Sequence, residues 1–156
     1  RLAIILEKDL LSGRNRLEGF QQAIKNANLE IAPEFIVSTR PGLDEIRAAS
    51  RKLLTMAIKP TAVFTTTDFI ASIFINEARK FNIAVPQDIS VIGYDNTINA
   101  QLINPNLTIV SQPIDELADQ AITKIYESIT QPKRQSSRML LTPKLIERDS
   151  VCRMKN

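Results

Sequence analysis

Four short apolar runs alternate with amphipathic segments in this 156-residue chain, and that order limits its fold more than any other feature. The runs lie at residues 2–6, 34–38, 61–66 and 89–93. Between them are three segments whose apolar positions recur every three or four residues, at 14–27, 44–57 and 68–81. Short apolar runs are typical of strands buried on both faces, and their alternation with helices indicates a parallel sheet. The sequence therefore predicts an α/β fold, with three αβα layers around a mostly parallel, doubly wound sheet.

The last third of the chain has a looser order. It contains a short predicted strand at residues 107–110 and two extended pieces at 139–142 and 144–147. Between them the clearest amphipathic helix of the chain spans residues 113–130, and Pro132 ends it. Its apolar stripe consists of Ile114, Leu117, Ala118, Ala121, Ile122, Ile125 and Ile129.

Composition excludes several classes of function. The net charge of +3 is spread along the chain, and the one basic cluster, Lys133, Arg134 and Arg138, is typical of a solvated loop rather than a nucleic-acid surface. The chain has no histidine, so catalysis by histidine and zinc sites built on histidine are impossible within it. Its single cysteine excludes an internal disulfide and is typical of a protein in a reducing compartment. No stretch approaches the roughly 18 apolar residues that cross a bilayer. We expect a cytoplasmic protein without a membrane partner.

The sequence offers no catalytic constellation. Its acidic pairs lie at helix starts or on exposed faces, where they complement the helix dipole. Its four glycines are isolated and match no phosphate-binding or dinucleotide-binding pattern. We therefore expect neither enzymatic activity nor a cofactor or metal site.

A polar rim is predicted where the strands end. In open parallel sheets ligands bind beyond the carboxyl ends of the strands, and the residues there include Arg14, Arg16, Arg40, Asp68 and Asp95. Arginine and carboxylate groups can orient a polyhydroxyl ligand through charge-assisted hydrogen bonds.

Each of these residues also has a purely structural interpretation, which the sequence leaves open. Asp68 opens a helix and is expected to cap it. Asp95 could instead form an Asx-turn. Arg14 and Arg16 are expected in the first turn of a helix, where the dipole disfavours cations, so both could be solvated surface residues.

Five segments resemble the lactose-repressor-type (LacI/GalR) family of transcription regulators, in the family's order and along nearly the whole chain. They are SGRNRLEGF at 12–20, KPTAVF with TD at 59–68, VPQDISVIGYDN at 85–96, PNLT with QP at 105–113 and LIERDS at 145–150. Asn28 and Asn82 stand at helix ends where the family has glycines, a conservative exchange at a left-handed position.

The resemblance implies two similar α/β subdomains that close on an effector, a sugar or sugar phosphate. Residues 1–106 would form the C-terminal effector-binding subdomain, 107–132 a crossover strand and helix that pack on the other subdomain, and 133–156 return strands and a tail. Without that subdomain the helix must pack elsewhere, swap between chains or stay exposed. DNA would be bound only through a missing N-terminal helix-turn-helix.

The resemblance also implies roles for single residues. Arg16 and Asp95 match the family's effector-binding arginine and aspartate, and Thr67 stands where many members have an effector-binding asparagine. Arg40 lies in a loop where members often place a stacking aromatic, and Phe69 could substitute for it. The same Thr67-Asp68 pair occurs in members that bind a corepressor protein.

The resemblance also implies a homodimer, whose interface residues 69–80 and 97–104 would form. The sequence alone leaves two rivals: a periplasmic sugar-binding protein of a transporter, which shares the fold, and a doubly wound enzyme.

Overall fold

A computed structural model describes residues 1–130 and 138–153 of the chain. In order, the elements are β1 (Leu2–Glu7), α1 (Leu11–Asn26), a 3-10 turn (Pro33–Phe35), β2 (Ile36–Thr39), α2 (Leu43–Leu54), β3 (Ala62–Thr65), α3 (Asp68–Lys80), β4 (Ser90–Asp95), α4 (Asn99–Leu102), β5 (Thr108–Ser111), α5 (Ile114–Thr130) and β6 (Lys144–Ile146). The predicted helix end at Pro132 and the basic residues Lys133 and Arg134 lie outside the described residues.

The six strands form one sheet in the order β2-β1-β3-β4-β5-β6. The first five strands run parallel, and only β6 is antiparallel to its neighbour β5. Because β2 and β3 lie on opposite sides of β1, right-handed connections place α1 on one face and α2 and α3 on the other. The predicted mostly parallel, doubly wound αβα fold is confirmed.

The main core lies between the sheet and the face covered by α2 and α3. The strands contribute alternate side chains, which point to the same face of a pleated sheet. The fully or almost fully buried members from the strands are Ala3, Ile5, Val63, Val91 and Ile109. Those of the two helices include Ile46, Leu53, Ile70, Phe74 and Ala78.

The opposite face of the sheet is only partly covered. Phe20 of α1 stacks on Phe64 of β3, with the ring centroids 5.9 Å apart and the planes 14° from parallel. Beyond α1 an apolar groove of about 720 Å³ remains along the strands. We call it the sheet-face groove, and its apolar lining includes Leu2, Phe20, Phe64, Ile92, Val110 and Leu145.

Helix α1 begins directly against the end of β1. A Cβ atom at Gly13 would lie 2.1 Å from the carbonyl oxygen of Glu7, so only glycine permits this approach. The helix starts at Leu11, earlier than predicted, and Arg16 therefore lies in its second turn. The prediction that Arg16 lies in the first turn, where the helix dipole disfavours cations, was wrong.

Helix α5 confirms the predicted amphipathic helix but buries none of its residues. The exposed fractions of its largest apolar residues lie between 51% and 74%, for Ile114, Leu117, Ile122, Ile125 and Ile129. In the single chain the apolar stripe of this helix stays exposed. No helix within the described ranges is long and apolar enough to cross a membrane.

Two predicted helix ends are confirmed, and two predictions about strands were wrong. Asn28 and Asn82 have φ angles of 53° and 55°, which confirms the left-handed ends of two helices. The second strand starts at Ile36 rather than residue 34, because Pro33 opens a 3-10 turn. Residues 139–142 form no strand, since β6 already occupies the edge of β5.

Residues 148–152, which we call the C-terminal strap, form hydrogen bonds with the beginnings of both β4 and β5. The buried hydroxyl of Ser150 donates to the Val91 oxygen at 2.6 Å and accepts from the Thr108 amide at 2.8 Å. The Val91 amide in turn donates to the Ser150 oxygen at 2.8 Å. The strap thus supplies the hydrogen bonds that a neighbouring strand would otherwise supply.

A buried carboxylate joins α2 and α3. Glu77, only 1% exposed, accepts from Lys80 Nζ at 2.6 Å and from Arg51 Nε at 2.7 Å. These hydrogen bonds, of which that from Lys80 has the largest effect, hold the pKa of Glu77 below its ordinary value of 4.5, although burial by itself would raise it. Ionised Glu77 therefore stabilises the packing of the two helices.

Glu77→Gln keeps the shape of this side chain but cannot ionise. We expect the variant to be roughly 1–2 kcal/mol less stable near neutral pH, a modest value because Lys80 and Arg51 are half-exposed. The wild-type advantage is present above the ordinary pKa and is lost as the pH falls through the lowered pKa of Glu77. Urea unfolding near neutral pH and at about pH 3 measures this change. The matched control Glu18→Gln, at an exposed position, should show no such change; an advantage independent of pH would contradict the role of the charge.

Candidate ligand-binding site

The carboxyl ends of β1, β3 and β4 meet at one edge of the sheet. Since β2 lies on one side of β1 and β3 on the other, the chain connections diverge between β1 and β3. Such a switch point leaves a crevice, which is where doubly wound sheets bind ligands.

Arg16 lies at this crevice and joins the ends of two strands. Its Nη2 donates to Asp95 Oδ1 at 2.9 Å, and its Nη1 donates to the backbone oxygen of Thr66, just after β3. The guanidinium also lies over the ring of Tyr94, with its central carbon 3.7 Å from the ring centroid, a cation–π arrangement. The structure thus brings together Arg16 and Asp95, which are 79 positions apart in the sequence.

The pair keeps hydrogen-bonding capacity for a ligand. Asp95 Oδ1 accepts a second hydrogen bond from Gln112 Nε2 at 2.7 Å, while Oδ2 accepts none within the described part of the chain. Arg16 uses two of its five N–H groups. The two side chains are 16% and 24% exposed, so the remaining groups are reachable but largely shielded from water. Such groups can bind neighbouring hydroxyls of a polar molecule.

The Asx-turn alternative for Asp95 does not describe the geometry. Its carboxylate binds two side chains from α1 and the end of β5, and in residues 1–130 and 138–153 it accepts from no backbone amide.

Helix α3 is capped by Thr67, not by Asp68. The Thr67 hydroxyl accepts from the Ile70 amide at 3.2 Å, and Asp68 is already the first helical residue. The Asp68 carboxylate instead accepts from the Thr97 amide at 2.6 Å and so fixes the turn after β4. The prediction that Asp68 caps the helix was therefore wrong, because the helix begins one residue earlier than that role requires.

Arg14, Arg40 and Phe69 make no hydrogen bond or ion pair with Arg16 or Asp95 within the described ranges. Arg14 is exposed, and its side chain makes no hydrogen bond or ion pair with the residues that the structure describes. Arg40 follows the edge strand β2 and lines a separate shallow cavity with Glu45. Phe69 lies in the first turn of α3 and is 48% exposed.

The structure adds residues for which no role was predicted from the sequence. Tyr94 and Gln112 hold Arg16 and Asp95, and both belong to motifs quoted above, which was the available signal. Ser12 and Asn15 line the sheet-face groove beside Arg16, one turn before and directly before it on α1. Helical spacing could have identified Ser12, since positions i and i+4 share a face.

The sheet-face groove reaches Arg16 but differs chemically from the polar crevice at the strand ends. Its lining is apolar except near Ser12, Asn15, Arg16 and Tyr94. A polar ligand would leave its hydroxyls without partners along most of the groove. The polar crevice at the strand ends is therefore the better candidate site. No group of three acidic or cysteine side chains in the described ranges could hold a metal ion.

Comparison with known proteins gives one family. Residues 1–151 match the model of the periplasmic binding protein-like domain. The chain is 40% identical over 143 residues to the ribose operon repressor of Escherichia coli (strain K12), covering 92% of this chain and 43% of that protein. It is 39% identical over 140 residues to the HTH-type transcriptional repressor PurR of Serratia proteamaculans (strain 568), covering 90% and 41%. The chain thus spans less than half the length of these curated relatives.

A solved structure agrees with this match. The transcriptional regulator CelR in complex with cellobiose is 28% identical and superposes with a TM-score of 0.88. The superposition covers 96% of this chain and 46% of that one.

Removing the cap hydroxyl should destabilise α3. We expect Thr67→Ala to lower the free energy of unfolding by about 1 kcal/mol, because the Ile70 amide loses its acceptor. Thr67→Ser keeps the acceptor and should remain near the wild-type value in the same urea titration. Equal stability of Thr67→Ala and wild type would mean that the hydroxyl is free for another partner.

Proposed function

Because the chain belongs to the periplasmic binding protein-like domain family, in its lactose-repressor-type (LacI/GalR) branch, we propose that it senses a small polar effector for a transcription regulator. The effector is a sugar or sugar phosphate. Its binding changes the affinity of the whole regulator for DNA. The two curated relatives named above are repressors rather than transport proteins, which favours this function over a transporter's sugar-binding protein.

The observation that carries this proposal is the ion pair between Arg16 and Asp95. Both groups keep free hydrogen-bonding positions in a crevice at the switch point of the sheet. A fixed guanidinium beside a carboxylate offers donors and acceptors at a spacing that suits the adjacent hydroxyls of a sugar. The cellobiose bound to CelR supports a carbohydrate as the class of effector.

The remaining site residues have different parts in this proposal. Phe69 offers an exposed aromatic face at the rim, against which the apolar side of a sugar ring can stack. Thr67 contributes through its position at the start of α3, since its hydroxyl already accepts from Ile70. Arg14 and Arg40 have no contact that links them to Arg16 and Asp95, and we leave them outside the proposed site.

The wider assembly follows from the same family. DNA is contacted by a part of the regulator outside this chain, and two copies associate through α3 and residues 97–104. Ile98 and Leu102, 64% and 75% exposed, give that surface an apolar character. A corepressor protein remains the alternative ligand, on the basis of the Thr67-Asp68 pair. The protein acts in the cytoplasm and is not an enzyme.

The domain boundaries of the proposal are residues 1–106, 107–132 and 133–156. The exposed apolar stripe of α5 fits a helix that packs on a second subdomain. An effector bound between the two subdomains would favour their closed arrangement through contacts that the open arrangement lacks. Effector sensing is then a shift in the populations of the open and closed arrangements.

The effector site can be tested by calorimetry on the full-length gene product with a panel of sugars and sugar phosphates. We expect Arg16→Ala and Asp95→Asn to weaken binding at least about tenfold, since each removes a charged hydrogen-bonding partner. Arg14→Ala, on the same helix but exposed, is the matched control and should bind like the wild type. Wild-type affinity in both site variants would remove Arg16 and Asp95 from the site.

A further inference from the structure

The turn after β4 has a backbone that side chains rarely adopt. Asp95 and Asn96 have φ angles of 96° and 68°, two consecutive residues in the left-handed region. Asparagine tolerates this region, but the φ angle of Asp95, 96°, lies outside the usual range of the left-handed conformation. Such a conformation persists only where the surroundings hold it in place. The orientation of the Asp95 carboxylate therefore depends on what fixes this turn.

Asn96 fixes the turn with both ends of its amide. Its Nδ2 donates to Ser111 Oγ at 3.0 Å, and its Oδ1 accepts from Arg148 Nη2 at 2.8 Å. Because a guanidinium only donates, the amide oxygen must face Arg148 and the nitrogen must face Ser111. The side chain of Asn96 thus has a single orientation.

Arg148 belongs to the C-terminal strap and is itself held twice. Its Nη1 donates to the Leu107 oxygen at 2.9 Å, and its backbone amide donates to Thr108 Oγ1 at 2.9 Å. The half-buried guanidinium therefore connects the beginning of β5 to the turn after β4. A lysine lacks the planar fork through which Arg148 reaches the two acceptors from separate nitrogens.

We propose that Arg148 is a positioning residue for the effector site: through Asn96 it holds the Asp95 carboxylate in the orientation that binds both Arg16 and the effector. Arg148 itself touches neither Arg16 nor Asp95 by a hydrogen bond within the described residues. The inference rests on the proposed function for the effector, but its structural part can be measured separately.

Two variants of the full-length protein test the proposal. Asn96→Gly accepts the positive φ without strain and removes only the amide link, whereas Arg148→Met removes the guanidinium and keeps an unbranched side chain. Asn28→Gly is the matched control, since Asn28 also has a positive φ but lies at the end of α1 with no contact to the site. Asn96→Asp keeps acceptors for Arg148 and for the Ser111 hydroxyl, and should rescue binding.

We expect Asn96→Gly and Arg148→Met to weaken effector binding at least about tenfold at a temperature where thermal unfolding shows both to be folded. Asn28→Gly and Asn96→Asp should stay near the wild-type affinity. A purely structural role would lower the melting temperature without changing the affinity of the folded protein. Wild-type affinity in Asn96→Gly would overturn the proposal while leaving the effector site intact.

A second measurement does not depend on the effector. The side-chain amide of Gln112 donates to Asp95 Oδ1, so its ¹⁵N–¹H signals report the orientation of that carboxylate. In glutamine-labelled protein, with the signals assigned through Gln112→Met, we expect them to shift in Asn96→Gly and not in Asn28→Gly. If no sugar binds the wild type, the proposed function fails, and unchanged Gln112 signals in Asn96→Gly would then overturn the positioning role as well.

Discussion

Arg16 is the residue through which the separate parts of the crevice become one site. It is carried by the helix after β1, donates to the backbone just after β3 and pairs with the carboxylate at the end of β4. Three strand ends that are distant in the sequence are therefore held around one guanidinium. This contact depends on Gly13, because any larger residue there would push α1 away from β1 and withdraw Arg16 from the crevice.

The fold was predictable because its signals are local and repeated. Apolar runs, helical periodicity and the asparagines at helix ends each act within a few residues, and the sheet follows from their order. The meeting of Arg16 and Asp95 followed from a rule of topology, that parallel strands end on the same edge. At the site, the errors concern single residues whose role depends on where a helix starts, as for Thr67 and Asp68.

The contacts that fix the site could not be predicted in the same way. Gln112, Asn96 and Arg148 act through hydrogen bonds between residues that are 15 to 52 positions apart in the sequence. The periodicity of a sequence does not show which side chain a turn will orient. Asp95 and Asn96 have positive φ angles, but neither residue is a glycine, so the sequence carries no glycine signal for this turn. Only the folded arrangement shows that a carboxylate is held by partners from α1, β5 and the strap.

The strap affects when the fold can be completed during translation. Ser150 supplies hydrogen bonds to both β4 and β5, and Arg148 secures the turn that carries Asp95. A nascent chain that has already exposed all five parallel strands outside the ribosome still lacks these partners. The sheet is completed, and the carboxylate oriented, only after residues 148–152 have been translated. A product that ends before residue 148 lacks the guanidinium that we propose orients the Asp95 carboxylate.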